Sequence, residues 1–199
     1  MSKHIWDERY SSEEYIYGTE PNEFFRQQID LMEAGRLLLP GEGEGRNAVY
    51  AASKGWMVDA VDFSFVAKEK ALKLAESKSV SINYFVSDLK EFQYSENYYD
   101  AVGLFFVHLP SETRKIVNEK IISSLKVGGK IILEAFNKLQ INNNSGGPKD
   151  INLLYDEKEI LESCKRLDIL MIESTTIAIN EGNYHKGKAD VIRFVGRKK

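Results

Sequence analysis

"LLLPGEGEGRNAVY", residues 37–50, is the stretch whose reading decides the fold. An aliphatic run stops at Pro40, glycines follow at 41, 43 and 45, and a helix-like pattern resumes at about Arg46. Strand, glycine turn and helix in that order form a nucleotide cradle, because glycines admit a tight turn and the helix start offers free N–H groups. Glu42 and Glu44, set between the glycines, carry a negative charge that such a cradle does not ordinarily need.

The motif is not a P-loop, which requires four residues between its glycines and then Gly-Lys-Ser/Thr. Nor is it a full dinucleotide fingerprint: the third glycine comes one position early, and Arg46 holds the expected place. A pyrophosphate would meet two like charges within a few ångströms. S-adenosylmethionine suits the turn better, with a cationic sulfonium and ammonium and a carboxylate that can use a helix N-terminus. A tight turn that binds nothing is the plainer alternative.

Outward from this turn the chain alternates strand and helix. "WMVDAVD", "SINYFVSD", "YYDAVGLFFVHL" and "KIILEAF" read as strands, and the third of these is apolar enough to be buried on both faces. "SFVAKEKALKLAES" and "SETRKIVNEKIISSLKVGG" read as helices, the first capped by Ser64 and the second stopped by its two glycines. Upstream, Pro21 opens a helix with Phe25, Ile29 and Met32 on one face, and Gly35 is placed to close it in the left-handed conformation. Downstream, "NKLQINNNSGGPKD" is a long loop, either a pocket edge or solvated irregular chain. Asp156 and Glu159 make a capping box for a last helix reaching about Lys165. "LDILMIESTTIAI" and "DVIRFVGRK" read as an antiparallel hairpin joined by "NEGNYHKGKA". The pattern calls for a mostly parallel sheet with helices on both faces, and for a ligand at the carboxyl ends of the strands.

Two acids fall at those ends. Asp62, about 20 residues past the first glycine, stands where a carboxylate accepts ribose hydroxyls, or else caps a helix. Asp88 can accept from an adenine amino group with Leu89 beside the ring, or else sit in an ordinary turn.

Composition bounds the partners. The chain has 199 residues, 43% hydrophobic and 29% charged, with a net charge of −3. This fits one soluble domain and gives no basic field for nucleic acid. No apolar run approaches a membrane span or a signal-peptide core. One cysteine, Cys164, excludes an internal disulfide or a cysteine-rich metal site and suits the cytoplasm.

With "WDERYSSEEYIYGTEPNEFF", "GEGEGRNAVYAASKG", "VDAVDFS", "SDL", "YDAVGLFFVHLP", "LKVGGKIILEAF", "GGPKD" and "EGNYHKGKADVIRFVGRK", nearly the whole chain resembles the class I S-adenosylmethionine-dependent methyltransferases. It most resembles the small bacterial enzymes grouped with tellurite-resistance and thiopurine methyltransferases. The resemblance implies a Rossmann-like three-layer αβα sandwich, its seven strands ordered 3-2-1-4-5-7-6 with strand 7 antiparallel. Residues 1–35 become an N-terminal cover arm and helix, and residues 36–199 the core. By position, Gly41 and Gly43 line the methionine part of the cofactor, Asp62 binds ribose and Asp88 adenine. Backbone at Leu104 and Phe105 meets the amino-acid end, and Trp6, Tyr10, Tyr17 and Gly18 form the cover. Asn47, Phe63, Ser64 and Leu89 complete the cofactor set. The acid that the family often carries two positions before the first glycine is Leu39 here. Either Glu42 or backbone carbonyls take its part.

No catalytic residue is assignable from sequence. His108, at the end of the fourth strand, either orients or deprotonates a methyl acceptor, or is a hydrogen-bonded structural histidine. His185 and Arg193 either bind an anionic acceptor or are solvated hairpin charges. The partner expected is a small molecule, with S-adenosylhomocysteine as product. The competing readings are a silent S-adenosylmethionine- or nucleotide-binding regulator and a nicotinamide-dependent oxidoreductase.

Overall fold

The computed structural model describes residues 3–182 and 184–199. The arm begins with α1 (Lys3–Tyr10), followed by α2 (Glu23–Ile29). The core then runs β1 (Arg36–Pro40), α3 (Arg46–Ser53), β2 (Met57–Asp62), α4 (Phe65–Ser77), β3 (Asn83–Val86), β4 (Tyr99–Phe105), α5 (Ser111–Ser124) and β5 (Leu125–Phe136). It closes with α6 (Glu157–Ser163), β6 (Leu167–Glu181) and β7 (His185–Lys198).

One seven-stranded sheet results, in the order β3-β2-β1-β4-β5-β7-β6, as the family resemblance implies. β1 lies parallel to β2 and β4, while β7 runs antiparallel to β5 and β6. Alternation along β1 explains the layers. Leu38 enters one core with Val102, Ile121 and Ile131. Leu37 and Leu39 enter the other with Phe24, Phe25, Ala48 and Ala51. Leu39 is 1% exposed, so the position where an acid was expected faces the hydrophobic core.

Several local expectations need correction. Gly35 does not close α2, whose last residue is Ile29 and whose C-cap Asp30 is right-handed. Gly35 is required for another reason: a Cβ there would lie 2.5 Å from Asp100 Oδ2, the carboxylate that accepts from Arg36 N. The glycines of "LKVGG" do not stop α5 either. The helix ends at Ser124, and Gly128 and Gly129 lie within β5, beside an irregularity in its pairing with β4. The final hairpin reaches far into the stretch read as a loop, with Glu181 paired opposite His185. The long loop carries two short 3-10 turns, at Lys138–Asn142 and Ile151–Leu153.

Where sequence and structure coincide, the causes are local. Ser64 accepts from Ala67 N at 3.1 Å to cap α4, Asp156 caps α6, and Gly55 takes φ +88° just past α3. Among the described residues no helix is long and apolar enough to cross a membrane.

Candidate active site

The strand order reverses between β1 and β4, and a cleft of about 450 Å³ opens at the carboxyl ends of the strands there. Gly41, Gly43 and Gly45 all take positive φ, at +70°, +62° and +88°, so the glycine spacing is a left-handed position at every second residue. Gly41 N and Glu42 N both donate to Val61 O, which ties the turn to the end of β2.

The turn's two glutamates face different tasks. Glu42 is partly buried, and its Oε1 accepts from Ala48 N at 2.7 Å. It thereby caps α3, whose N-cap residue Gly45 has no side chain to offer. Glu44 is 5% exposed; its Oε2 accepts from Ile16 N at 2.7 Å and its Oε1 pairs with Lys70 at 2.5 Å. Lys70 also donates to the carbonyls of Ser12 and Glu14, so Glu44 and Lys70 fasten the arm to the turn. Asp62 fills the remaining backbone seat, accepting from Gly43 N at 3.1 Å and Ser64 N at 3.0 Å. The protein's own carboxylates thus occupy Gly43 N in the turn and Ala48 N in the first turn of α3, two of the N–H groups open to a pyrophosphate.

Burial pushes Glu42 up to about 7 and Asp62 up to about 6, only partly offset by backbone hydrogen bonds. Two desolvated carboxyls in one cleft favour a cationic ligand and fit the sulfonium and ammonium of S-adenosylmethionine. A raised folded-state pKa has a sign consequence. Glu42 contributes stability below its unfolded value of 4.5, and that contribution is lost as pH rises through about 7. Relative to Glu42→Gln, the ligand-free protein should therefore lose stability on the order of 2 kcal/mol between about pH 4.5 and 7.5, read by denaturant unfolding of both chains.

The arm closes the cleft from above. Tyr10 is 5% exposed, stacks on Trp6 with centroids 5.4 Å apart, and leaves no space beside Gly43, where a Cβ would lie 2.8 Å from its hydroxyl. Tyr17 and Gly18 also border the cleft. Tyr15 does not: its hydroxyl donates to Lys70 O and anchors the arm on α4. Gly182 meets the arm so closely that a Cβ would fall 2.0 Å from Ile16 O. Gly146, Gly147 and Pro148 form a further wall, so the "GGPKD" segment is a pocket edge.

Of the expected cofactor residues, Trp6, Tyr10, Tyr17, Gly18, Gly41, Glu42, Gly43, Asn47, Asp62, Phe63, Asp88, Leu89 and Phe105 line this cleft. Two do not. Ser64 is fully buried, capping α4 and donating to Asp7. Leu104 is 3% exposed and packs in the core on the far side of β4. The residue after Phe105 is the one that turns inward: Phe106 takes φ +55°, rare for an aromatic side chain, and borders the cleft. No sequence signal marks that backbone reversal.

On the acceptor side, His108 and His185 both line the cleft, but Arg193 does not. Arg193 Nε donates to Glu134 Oε2 at 2.6 Å and its guanidinium lies over Phe24. Glu134, 1% exposed, also accepts from Asn22 Nδ2 at 2.7 Å, so this is a structural ion pair inside the protein. His185 is not a solvated loop residue. It is buried against Tyr17, Phe106 and Phe136, with Nδ1 3.2 Å from Glu181 Oε2. Although burial raises the Glu181 carboxyl, His185 and Arg46 beside it prevail and hold it down at about 2.

Arg9 escaped the sequence reading. It borders the cleft between the rings of Trp6 and Tyr184, at 4.6 and 4.9 Å, and donates to the Tyr17 hydroxyl. Among the described residues no group of three or more His, Cys, Asp or Glu side chains could hold a metal ion.

Residues 38–129 match the model of a family described as "Methyltransferase domain". No curated protein sequence matches the chain. Solved structures similar in fold include one described under the conversion of a disulfide bond into a thioacetal group during echinomycin biosynthesis. It is 12% identical, covering 99% of this chain and 91% of its own, with a TM-score of 0.81. TehB from Haemophilus influenzae is 18% identical, covering 99% of this chain and 67% of its own, with a TM-score of 0.77. Phospholethanolamine N-methyltransferase 2 from Haemonchus contortus, in complex with phosphomonomethylethanolamine and S-adenosylhomocysteine, is 18% identical over 100% of this chain and 61% of its own, with a TM-score of 0.72. The domain match, which spans the glycine turn, Asp62 and Asp88 at the cleft, supports an S-adenosylmethionine-dependent methyltransferase.

Proposed function

We propose that this enzyme methylates a small molecule in the cleft, in the manner of the tellurite-resistance and thiopurine methyltransferase group. The acceptor is a chalcogen oxyanion, a thiol or another small metabolite. The observation that carries this reading is the cleft itself: its volume suits small ligands, and the arm, the 146–148 segment and Tyr184 with His185 border it. The net charge of −3 gives nucleic acid no electrostatic footing. The buried free thiol of Cys164 accords with the cytoplasm as its location.

In this reading Asp62 receives the ribose hydroxyls, Asp88 and Leu89 hold the adenine, and Glu42 takes the ammonium that the residue at position 39 would otherwise bind. When bound, the cofactor supplies an electrophilic methyl group on a good leaving group. The protein then needs chiefly to align the acceptor and exclude water. Trp6, Tyr10 and Tyr17 do the excluding, and Gly41 and Gly43 let the main chain approach.

The test is release of S-adenosylhomocysteine across a panel of thiols, phenols, selenite and tellurite, beside binding of S-adenosylmethionine. Binding with turnover of at least one acceptor is expected. Binding without any turnover would favour a silent cofactor-binding regulator. Glu42→Gln keeps an oxygen for Ala48 N but removes the charge. It should weaken S-adenosylmethionine by about 1.5–3 kcal/mol, the scale of a hydrogen bond to a charged group, without lowering the melting temperature. An unchanged Kd would return the ammonium to backbone carbonyls.

A further inference from the structure

The ring of His108 carries a polar atom for which the fold supplies no partner. Its Nδ1 lies 2.9 Å from Leu153 O, and a carbonyl can only accept, so the proton sits on Nδ1. Nε2 is therefore a bare lone pair, and it is buried with no hydrogen-bond partner. The ring is held on two sides, stacked on Phe136 at 5.5 Å and edge-on to Tyr155 at 5.8 Å. The Tyr155 hydroxyl in turn donates to Val107 O and fixes the turn after β4. An unpaired buried acceptor is costly, and functional sites are where such groups persist. The space that the His108 ring borders is the cleft.

We propose that His108 Nε2 receives the proton of the methyl acceptor, and that the acceptor is accordingly a neutral X–H nucleophile, a thiol or a hydroxyl, rather than a fully ionised oxyanion. This rests on the methyltransferase reading and narrows it. The lone pair attracts a donor and repels an oxyanion that has no proton to give. In the transfer, the X–C bond forms as the sulfonium C–S bond breaks, with that electron pair remaining on sulfur. The X–H proton passes to Nε2, the imidazole becomes imidazolium, and the proton leaves later to solvent.

Burial, with His185 and Arg114 as positive neighbours, pushes the imidazole down to about 4 despite the Leu153 bond. It is thus neutral at working pH. So weak a base does not ionise a thiol beforehand. It suffices once methylation has begun, because X then becomes an onium and its proton strongly acidic.

The test has two readouts. Histidine-labelled protein, saturated with S-adenosylhomocysteine, is titrated near neutral pH with 2-mercaptoethanol, phenol or sodium selenate and followed by 15N NMR. The account expects a protonated Nδ1 and a bare Nε2 whose shift moves with the thiol or the phenol and not with selenate, which carries no proton at this pH. In the same preparations, release of S-adenosylhomocysteine from S-adenosylmethionine is measured for the parent and for His108→Phe, which keeps a ring on Phe136. The parent should turn over the thiol or the phenol; the variant should lose about 100-fold or more in kcat. Its KM for S-adenosylmethionine should stay within about twofold of the parent's. Its residual thiol rate should climb with pH as free thiolate forms, where the parent's is flat between about pH 6 and 8. A proton on Nε2, a response to selenate alone, a variant as fast as the parent, or no turnover of either X–H probe overturns the proposal. Failure of S-adenosylmethionine to bind the parent is a separate result, which removes the methyltransferase reading along with it.

Discussion

Asp62→Ala is expected to weaken S-adenosylmethionine by about 1–3 kcal/mol, or about 5–150-fold in Kd, and to loosen the glycine turn at the same time. The two effects share a cause. The carboxylate stands at the end of β2, where it can meet ribose hydroxyls, and it also accepts from Gly43 N and Ser64 N. Alanine leaves both N–H groups buried without an acceptor, at a cost of about 1–3 kcal/mol in unfolding free energy, reduced by relief of the desolvated charge. Asp62→Asn separates the terms. One amide oxygen can still serve Gly43 or Ser64, so stability should largely return, while a neutral amide accepts fewer ribose hydrogen bonds and the affinity loss remains. Calorimetry and denaturant melts on both variants check this. An affinity equal to the parent's in Asp62→Ala would leave Asp62 with a purely structural task.

Arg193→Met is expected to destabilise the fold by about 3–5 kcal/mol, because it strands Glu134 as an unpaired buried charge. Asn22 would remain on that carboxylate but carries no charge to offset it. The double variant Arg193→Met with Glu134→Leu should recover most of the loss, since replacing a buried pair by apolar groups is often close to neutral. Had Arg193 been an acceptor-binding residue, the single variant would keep its stability and lose KM for the acceptor alone. Chemical denaturation of the three chains distinguishes these outcomes.

Arg193 also illustrates what could and could not be read from sequence. Its partner Glu134 lies 59 positions away and is set by the antiparallel register of β5 and β7, which no local pattern encodes. The same holds for Gly35, where a glycine beside a helix end suggested a cap and the cause is Asp100, distant in sequence. By contrast, the glycine turn and the Ser64 cap were legible because each depends on short-range spacing, and the mostly parallel sheet because strands and helices alternate, while the strand order came with the family resemblance. At Leu104 the expectation concerned the backbone, and the side chain lies in the core. The strand was read on to Leu109, whereas β4 ends at Phe105, and the left-handed Phe106 reverses the chain and decides which neighbours reach the cleft. His185 was assigned to a loop because glycines and charges surround it, yet β7 begins there and the residue is buried.

The pair of glutamates in the glycine turn gains a physical account from the structure. Glu44 is spent on Ile16 and Lys70, and so belongs to the arm's attachment. Glu42 caps α3 from inside the turn and, with Asp62, leaves the cleft two desolvated carboxyls near neutrality. A cation brought beside them should lower both and release protons.

That coupling is the most direct test of the whole account. S-adenosylmethionine and NAD are titrated calorimetrically into the ligand-free protein near pH 6.5, in two buffers of different ionisation heat. The account predicts saturable binding of S-adenosylmethionine with net proton release, and no binding of NAD. Saturation by NAD with no heat from S-adenosylmethionine, or S-adenosylmethionine binding with identical heats in both buffers, would contradict it.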